Sequence, residues 1–158
     1  MKNYMTKTST LTFLFIVSIA LVACFIRFTP LAGCLLLDNL GPATESQQLL
    51  ASMSYAQKTA HFRITLWLDM IFPLAYGGFF VGLTLKHFKQ LGMWLAIPAF
   101  LVIPTDICEN LIQLLALTGA EDLLHIKAIL TPIKFMLFNI AGCIAAVALS
   151  LGIWRHFV

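Results

Sequence analysis

Charge is the property this sequence has least of. Lys, Arg, Asp and Glu make up 11% of its 158 residues and hydrophobic residues make up 60%. Soluble domains carry about 25% charged residues and less than about 50% apolar ones. The composition therefore excludes an ordinary soluble domain and predicts an integral membrane protein. The net charge is only +3 and no block of basic residues occurs, so no nucleic-acid partner is expected.

Motifs that hold metals or cofactors are also missing. No phosphate-binding GxxxxGK[ST] loop occurs, and the cysteines show neither CxxC nor Cys/His metal spacing. We therefore predict no metal site and no cofactor. In apolar surroundings a thiol most often behaves as a small hydrophobic side chain, which is our interpretation of Cys24, Cys34, Cys108 and Cys143.

Long apolar stretches fill most of the chain. A membrane-spanning helix needs about 20 mostly apolar residues. Four such stretches occur, at about 11–29, 64–85, 91–117 and 126–153, and we call them predicted helices 1 to 4. They predict an all-α, polytopic four-helix bundle that forms a single membrane domain over residues 1–158.

The first apolar stretch resembles a secretory signal, and LVAC (21–24) and LAGC (31–34) resemble lipoprotein processing sites. Apolar residues follow both cysteines, whereas lipoproteins usually continue into a polar stretch, so we interpret the segment as a retained helix. Residues 44–62 carry a capping-box spacing at Thr44 and Gln47 and an apolar repeat of helical period. They predict either an amphipathic helix on the membrane surface or a solvated linker.

Basic residues flanking the helices give the orientation. With the amino terminus in the cytoplasm, five fall on the cytoplasmic side and four on the opposite side. Positive charges concentrate in cytoplasmic loops, so we predict both termini inside, in a bacterial cytoplasmic (inner) membrane. The two sets are Lys2, Lys7, Lys86, Lys89 and Arg155 against Arg27, Lys58, Arg63 and Lys127, the latter partly balanced by Asp38, Glu45, Glu121 and Asp122.

Polar side chains inside the predicted helices form one layer. Helix 3 carries four of them at i, i+3, i+4 and i+7, which places them on one face. Helices 2 and 4 add polar residues at a similar depth, under the predicted topology in the outer half of the bundle. The members are Thr65, Asp69 and Tyr76 on helix 2, Asp106, Glu109, Asn110 and Gln113 on helix 3, and Thr131 and Lys134 on helix 4.

Charges in this layer must meet one another or water. An Asp or Lys at the centre of a membrane helix costs about 2.5–3.5 kcal/mol. Three acids face Lys134, so we expect either that Arg27 or Arg63 supplies a second cation or that one carboxyl group stays protonated near neutral pH. Pro73 has no N–H to bond the carbonyl four residues back, which leaves the Asp69 carbonyl free for another partner.

Outside this layer, we interpret all four histidines (His61, His87, His125 and His156) as interfacial, and Gly77, Gly78 and Gly82 as places of close helix approach.

The sequence supports several functional hypotheses. The first is a buried polar pocket that binds a small lipophilic or amphiphilic ligand, through Asp69, Tyr76, Asp106, Glu109, Asn110, Gln113 and Lys134. If the protein is an enzyme, the candidate acid/base residues are Asp106, Glu109 and Lys134. The alternatives are a structural or assembly subunit whose charges pair helices or a membrane-protein partner, and a transporter of protons or small ions. Membrane lipid and a second copy of the chain are further candidate partners.

Three motifs carry a family resemblance. LDMIFPLAYG (68–77), DICEN (106–110) and TPIK (131–134) together resemble a family of small bacterial four-helix integral membrane proteins with LDxxFPxxYG, DxxEN and a later Lys. The resemblance spans about residues 60–140 and implies that these positions form one unit. LLLDNLGP and LDMIFP are similar, more distantly, to the EXPERA group, which includes the sigma-2 receptor and the emopamil-binding sterol isomerases. DICEN has no counterpart there, so no isomerase mechanism is carried over to Asp38 or Asp69.

Overall fold

The computed structural model describes residues 2–88, 90–119 and 123–157, and every regular element in these ranges is helical. Four helical spans are long and apolar enough to cross a membrane: Thr8–Ala32, Tyr55–His87, Gly92–Thr118 and Leu124–Arg155. The predicted all-α, four-helix fold is confirmed. Lys89, Glu121 and Asp122, which entered the orientation count, lie outside the described residues.

The spans are assembled from shorter helices. In chain order the helices are α1 Lys2–Met5, α2 Thr8–Phe28, α3 Ala43–Ser52, α4 Tyr55–Ile64, α5 Phe72–His87, α6 Gly92–Leu95, α7 Ile97–Thr118 and α8 Leu124–Phe157. Two 3₁₀ turns, Thr29–Ala32 and Leu37–Asn39, follow α2, and a π-helical turn, Thr65–Asp69, joins α4 to α5. We call the end of the bundle where α7 ends and α8 begins the loop end, because the connection after α2 folds over it.

Helix α5 is the central helix of the bundle and packs against α2, α7 and α8. Its glycines allow this close packing. A methyl group at Gly77 would collide with Ile103 of α7, and one at Gly82 would collide with Leu11 of α2. The prediction that these glycines mark close helix approach is confirmed.

The break between α4 and α5 follows from Pro73. Ahead of it the helix widens and then tightens: the Met70 N–H donates to the Thr65 carbonyl at 3.1 Å, and the Ile71 N–H donates to the Leu68 carbonyl at 3.2 Å. Pro73 stands in the first turn of α5, so its missing N–H breaks no hydrogen bond within α5 itself, but the Asp69 carbonyl in the turn before it is left without a helical partner. Short π-helical turns of this kind often occur at functional sites.

The connecting segment, residues 33–42, lies against the loop end of the bundle. It turns sharply at Gly33 and Cys34, which both have positive φ angles, of 98° and 69°. Beyond the turn, Leu37 is fully buried and packs with Met53 and Leu117. This burial explains why the segment is more apolar than a free loop would be.

The stretch predicted as one amphipathic segment at 44–62 forms two helices, α3 and α4, and α4 continues into the second span. The predicted capping box at Thr44 and Gln47 is wrong, because α3 begins after Pro42 without a side-chain cap. The capping box is formed instead by Ser54 and Gln57 at the start of α4. The Ser54 backbone N–H donates to the Gln57 side chain at 2.8 Å, and the Gln57 N–H donates to the Ser54 hydroxyl at 3.3 Å.

Candidate functional site

Lys134 of α8 is the centre of the polar layer. Its ammonium lies 2.6 Å from Glu109 Oε2 and 3.6 Å from Asp106 Oδ1, both on α7, and it also forms an ion pair with Asp38 Oδ1 of the connecting segment. The side chain of Lys134 is 5% exposed and that of Glu109 is fully buried. The predicted convergence of the helix 3 acids on Lys134 is confirmed.

A second lysine completes the environment of Glu109. The Lys127 ammonium lies 3.6 Å from Glu109 Oε1, and both side chains are fully buried. The Thr131 hydroxyl donates to the same carboxylate oxygen at 2.5 Å, and Lys127 donates to the Leu40 carbonyl at 2.5 Å. The expectation that Arg27 or Arg63 supplies the second cation is therefore wrong, because both arginines are exposed and the buried partner is Lys127.

Asn110 binds the backbone that Pro73 leaves free. Its amide nitrogen donates to the Asp69 carbonyl at 2.9 Å, so the predicted availability of this carbonyl is confirmed and its partner is identified. The same nitrogen lies 3.4 Å from Asp106 Oδ1. This contact joins α7 to the π-helical turn. Because an unpaired buried carbonyl costs about 1–3 kcal/mol, the contact also offsets the break in the helix.

Tyr76 and Gln113 bind the remaining oxygens of the layer. The Tyr76 hydroxyl donates to Asp106 Oδ2 at 2.7 Å, and the Gln113 amide donates to Asp38 Oδ1 at 3.2 Å. All seven residues predicted from the sequence as a ligand-binding set thus lie in one connected group at the loop end. Asp38, Lys127 and Thr131 belong to the same group, although the predicted set omitted them.

His61 is another residue whose position differs from the prediction. We expected it at the membrane interface, but it is fully buried and its Nε2 accepts a hydrogen bond from the Leu37 N–H at 3.4 Å. His125 is exposed, and its interfacial position stays a prediction. His61 therefore helps to fix the connecting segment, and through it the position of Asp38.

A cleft opens beside the polar layer. It has a volume of about 470 Å³ and lies between the end of α2, the connecting segment and the start of α5. Phe25, Ile26, Pro30 and Phe72 contribute apolar walls, and the charged residues among its described lining are Asp38 and Asp69. Glu109, Asn110 and Gln113 do not line it, because all three are fully buried behind this wall.

Asp69 differs from the other acids of the layer. No described cation lies within ion-pairing distance of it, and its Oδ2 is buried without a hydrogen bond in the described part of the chain. Four carboxyl groups (Asp38, Asp69, Asp106 and Glu109) share the layer with two ammonium groups (Lys127 and Lys134). If all of them are ionised, the layer carries a net negative charge, and the excess acid lies on the wall of the cleft.

Three of the carboxylates could in principle hold a cation. Oxygen atoms of Asp38, Asp106 and Glu109 lie within 4.8 Å of one another. The Lys134 ammonium contacts all three groups and so occupies the position that a metal ion would need. A metal ion could bind this set only if Lys134 were withdrawn.

Comparison with known proteins adds no relatives: no family model, curated protein or solved structure matches this chain. The bacterial membrane-protein resemblance and the more distant EXPERA resemblance therefore stay predictions from the motifs.

Proposed function

We propose that the cleft binds a small amphiphilic molecule, with its apolar part against the aromatic and aliphatic walls and its polar end at Asp38 and Asp69. The observation that carries this proposal is the pairing of apolar walls with an acid that lacks a cation. Pockets of about 300–1,000 Å³ with apolar linings and a few convergent polar groups are typical small-molecule sites. Two carboxyl groups and no described basic residue on the wall favour a ligand whose polar end is an amine or a hydroxyl group.

In this proposal the protein lies in the bacterial cytoplasmic membrane, with both termini in the cytoplasm and the loop end facing outward. A ligand dissolved in the outer leaflet would then reach the cleft past Ile26 and Cys34, which are exposed on its rim. The support for this orientation is the distribution of basic residues.

Acid/base chemistry would fall to Asp69 under this proposal. Asp106 and Glu109, the acids favoured from the sequence, both contact Lys134 and accept hydrogen bonds from hydroxyl groups. Asp69 lines the cleft and has no described cation partner, so it is better placed than these two acids to exchange a proton with a bound molecule.

The second candidate function is structural. The pairing of Glu109 with two buried lysines favours it, because these contacts join α7, α8 and the connecting segment. Transport across the membrane has less support. Among the described residues, the buried polar side chain farthest from the loop end on α5 is Thr84, whose hydroxyl donates to its own helix.

Cys34 provides a direct test of ligand binding because it lines the cleft and is exposed. The protein is placed in nanodiscs with Cys24, Cys108 and Cys143 changed to Ser, and maleimide labelling of Cys34 is timed. Dodecylamine, dodecanol and dodecanoate are then compared as probes. We expect dodecylamine to slow labelling several-fold, dodecanol to slow it less and dodecanoate to leave it unchanged.

A matched control carries its single cysteine at position 55, through Cys34→Ser and Tyr55→Cys, since Tyr55 is 88% exposed at the start of α4 and does not line the cleft. Labelling at position 55 should be unaffected by every probe. Asp69→Asn should remove the advantage of the amine over the alcohol at Cys34. Equal effects of all three probes at both cysteines would reject the proposed binding site and leave the structural function.

A further inference from the structure

A second apolar depression lies on the other side of the turn after α2, and we call it the α4 groove. It has a volume of about 320 Å³ and is lined by Phe28 and Leu31 from the end of the first span and by Ile64, Trp67 and Leu68 from the second. Ala60, one turn earlier on the same face of α4, has the smallest side chain of the lining. Trp67 is 64% exposed, so the groove is open to the surroundings of the bundle.

The charge of this groove is opposite to that of the cleft. Arg63 is its one charged lining residue among those described, whereas the cleft has Asp38 and Asp69. Arg63 is exposed, and in the described part of the chain its side chain forms neither an ion pair nor a hydrogen bond. An arginine without a protein partner beside an apolar groove has five N–H donors available for an anionic ligand.

The position along the helix points to a lipid. Arg63 and Trp67 are four residues apart near the loop end of the second span, and Arg and Trp are residues that mark the boundary between membrane and water. From there the groove follows Ile64 and Leu68 towards the apolar part of the span. A lipid with its anionic headgroup at Arg63 and an acyl chain over Trp67 would match this groove, which is charged at Arg63 and apolar beyond it.

We propose that the α4 groove binds an anionic phospholipid, with the phosphate of the headgroup on Arg63 and one acyl chain along Phe28, Leu31 and Trp67. Arg63 can form paired, charge-assisted hydrogen bonds with a phosphate group. A zwitterionic headgroup also carries a phosphate, but its own positive charge lies nearby and repels Arg63. The groove does not share a lining residue with the cleft, so this binding is independent of the proposed function.

Trp67 fluorescence can measure this binding. The variant Trp94→Phe, Trp154→Phe retains Trp67 as its only tryptophan, and both replaced side chains are exposed, so the fold should be kept. The protein is reconstituted in phosphatidylcholine bilayers with a small fraction of either phosphatidylglycerol or phosphatidylcholine that is brominated on its acyl chains. Bromine quenches tryptophan on contact, so quenching reports lipid occupancy of the groove.

We expect the groove to bind brominated phosphatidylglycerol with about fivefold higher affinity than brominated phosphatidylcholine. This ratio corresponds to the attraction between one basic residue and an anionic lipid surface. Arg63→Gln should abolish this preference. Arg27→Gln is the matched control, because Arg27 is exposed at the same end of the bundle but does not line the groove. It should retain the preference.

Ala60→Leu tests the groove itself, because Ala60 lines it and the larger side chain would occupy part of its volume. This variant should reduce quenching by both brominated lipids, while leaving their ratio nearly unchanged. Equal quenching by the two lipids in the parent protein would overturn the proposal. So would an equal loss of preference in Arg27→Gln and Arg63→Gln, since that result indicates diffuse attraction to the surface charge.

Discussion

Two regions of the polar layer lie side by side and differ in how their charges are satisfied. In the interior region, Glu109 contacts two lysines and a threonine hydroxyl and is fully buried. In the cleft wall, Asp69 has no described cation partner and one oxygen without a hydrogen bond. Both acids lie in membrane-spanning helices, where an isolated charge costs several kcal/mol.

This difference in charge pairing distinguishes the residues that stabilise the fold from those available to bind a ligand. A charge on one helix whose partners lie on another holds the two helices together, and its removal leaves the partners unsatisfied. An acid kept in a membrane helix without a cation in ion-pairing distance adds nothing comparable to the stability of the bundle. We therefore assign the interior region to folding and the cleft wall to binding, and variants of each region test this assignment.

The largest effect is expected for Glu109→Gln. The substitution keeps the shape of the side chain but leaves Lys127 without a carboxylate partner, and breaking a buried ion pair typically costs about 3–5 kcal/mol. Thermal unfolding in a mild detergent should show a clear decrease in Tm. The double variant Glu109→Leu, Lys127→Met should be clearly more stable than Glu109→Gln, because a matched apolar pair leaves neither charge of this ion pair unpaired. A single Glu109→Gln variant as stable as the parent would place Glu109 in the binding region.

Asn110→Ala should have the next largest effect. It removes the donor for the Asp69 carbonyl, and an unsatisfied buried acceptor costs about 1–3 kcal/mol. The loss should be smaller in a Pro73→Ala background, because residue 73 then has its own N–H for that carbonyl. A double-mutant cycle of unfolding free energies measures this coupling. Additive effects of the two substitutions would contradict the account of the helix break.

Tyr76→Phe should have a smaller effect and marks the border between the two regions. The substitution removes one hydrogen bond to Asp106, which retains its contacts with Lys134 and Asn110, so the loss should be about 1 kcal/mol. Unfolding free energy is again the measurement. A loss as large as that of Glu109→Gln would contradict this ranking and give the Tyr76–Asp106 contact the same structural weight as the Glu109 ion pairs.

Much of the fold was predictable because hydropathy determines which stretches can cross a membrane. The shared face of Asp106, Glu109, Asn110 and Gln113 was predictable for a similar reason, since a regular helix fixes which side chains lie together. The partner of the Asp69 carbonyl was not. Pro73 indicates that a partner is needed, but only the packing of α7 on α5 identifies Asn110.

Lys127 and Ser54 were missed although the sequence carried a signal for each. Lys127, Thr131 and Lys134 follow i, i+4 and i+7 and share a face of α8, but Lys127 was assigned to the boundary because it lies near the start of the helix. Ser54 and Gln57 have capping-box spacing, but Thr44 and Gln47 have it too, and spacing alone does not select between them.

Asp38 could not have been placed from the sequence. Its contacts with Gln113 and Lys134 span 75 and 96 residues, and they depend on how the connecting segment folds back over the bundle. The same holds for the cleft, whose walls come from α2, the connecting segment and α5. Periodicity within one helix contains no information about such a shape.

The central claim is tested most directly by comparing two variants that remove one charge each at nearly constant shape, Asp69→Asn and Glu109→Gln. Unfolding of both is followed in the same detergent beside the parent protein. Our account predicts that Glu109→Gln unfolds at a clearly lower temperature, and that Asp69→Asn unfolds at the same temperature as the parent or higher, since it removes an unpaired buried charge. A decrease for Asp69→Asn as large as that for Glu109→Gln would contradict the account and make the whole layer structural.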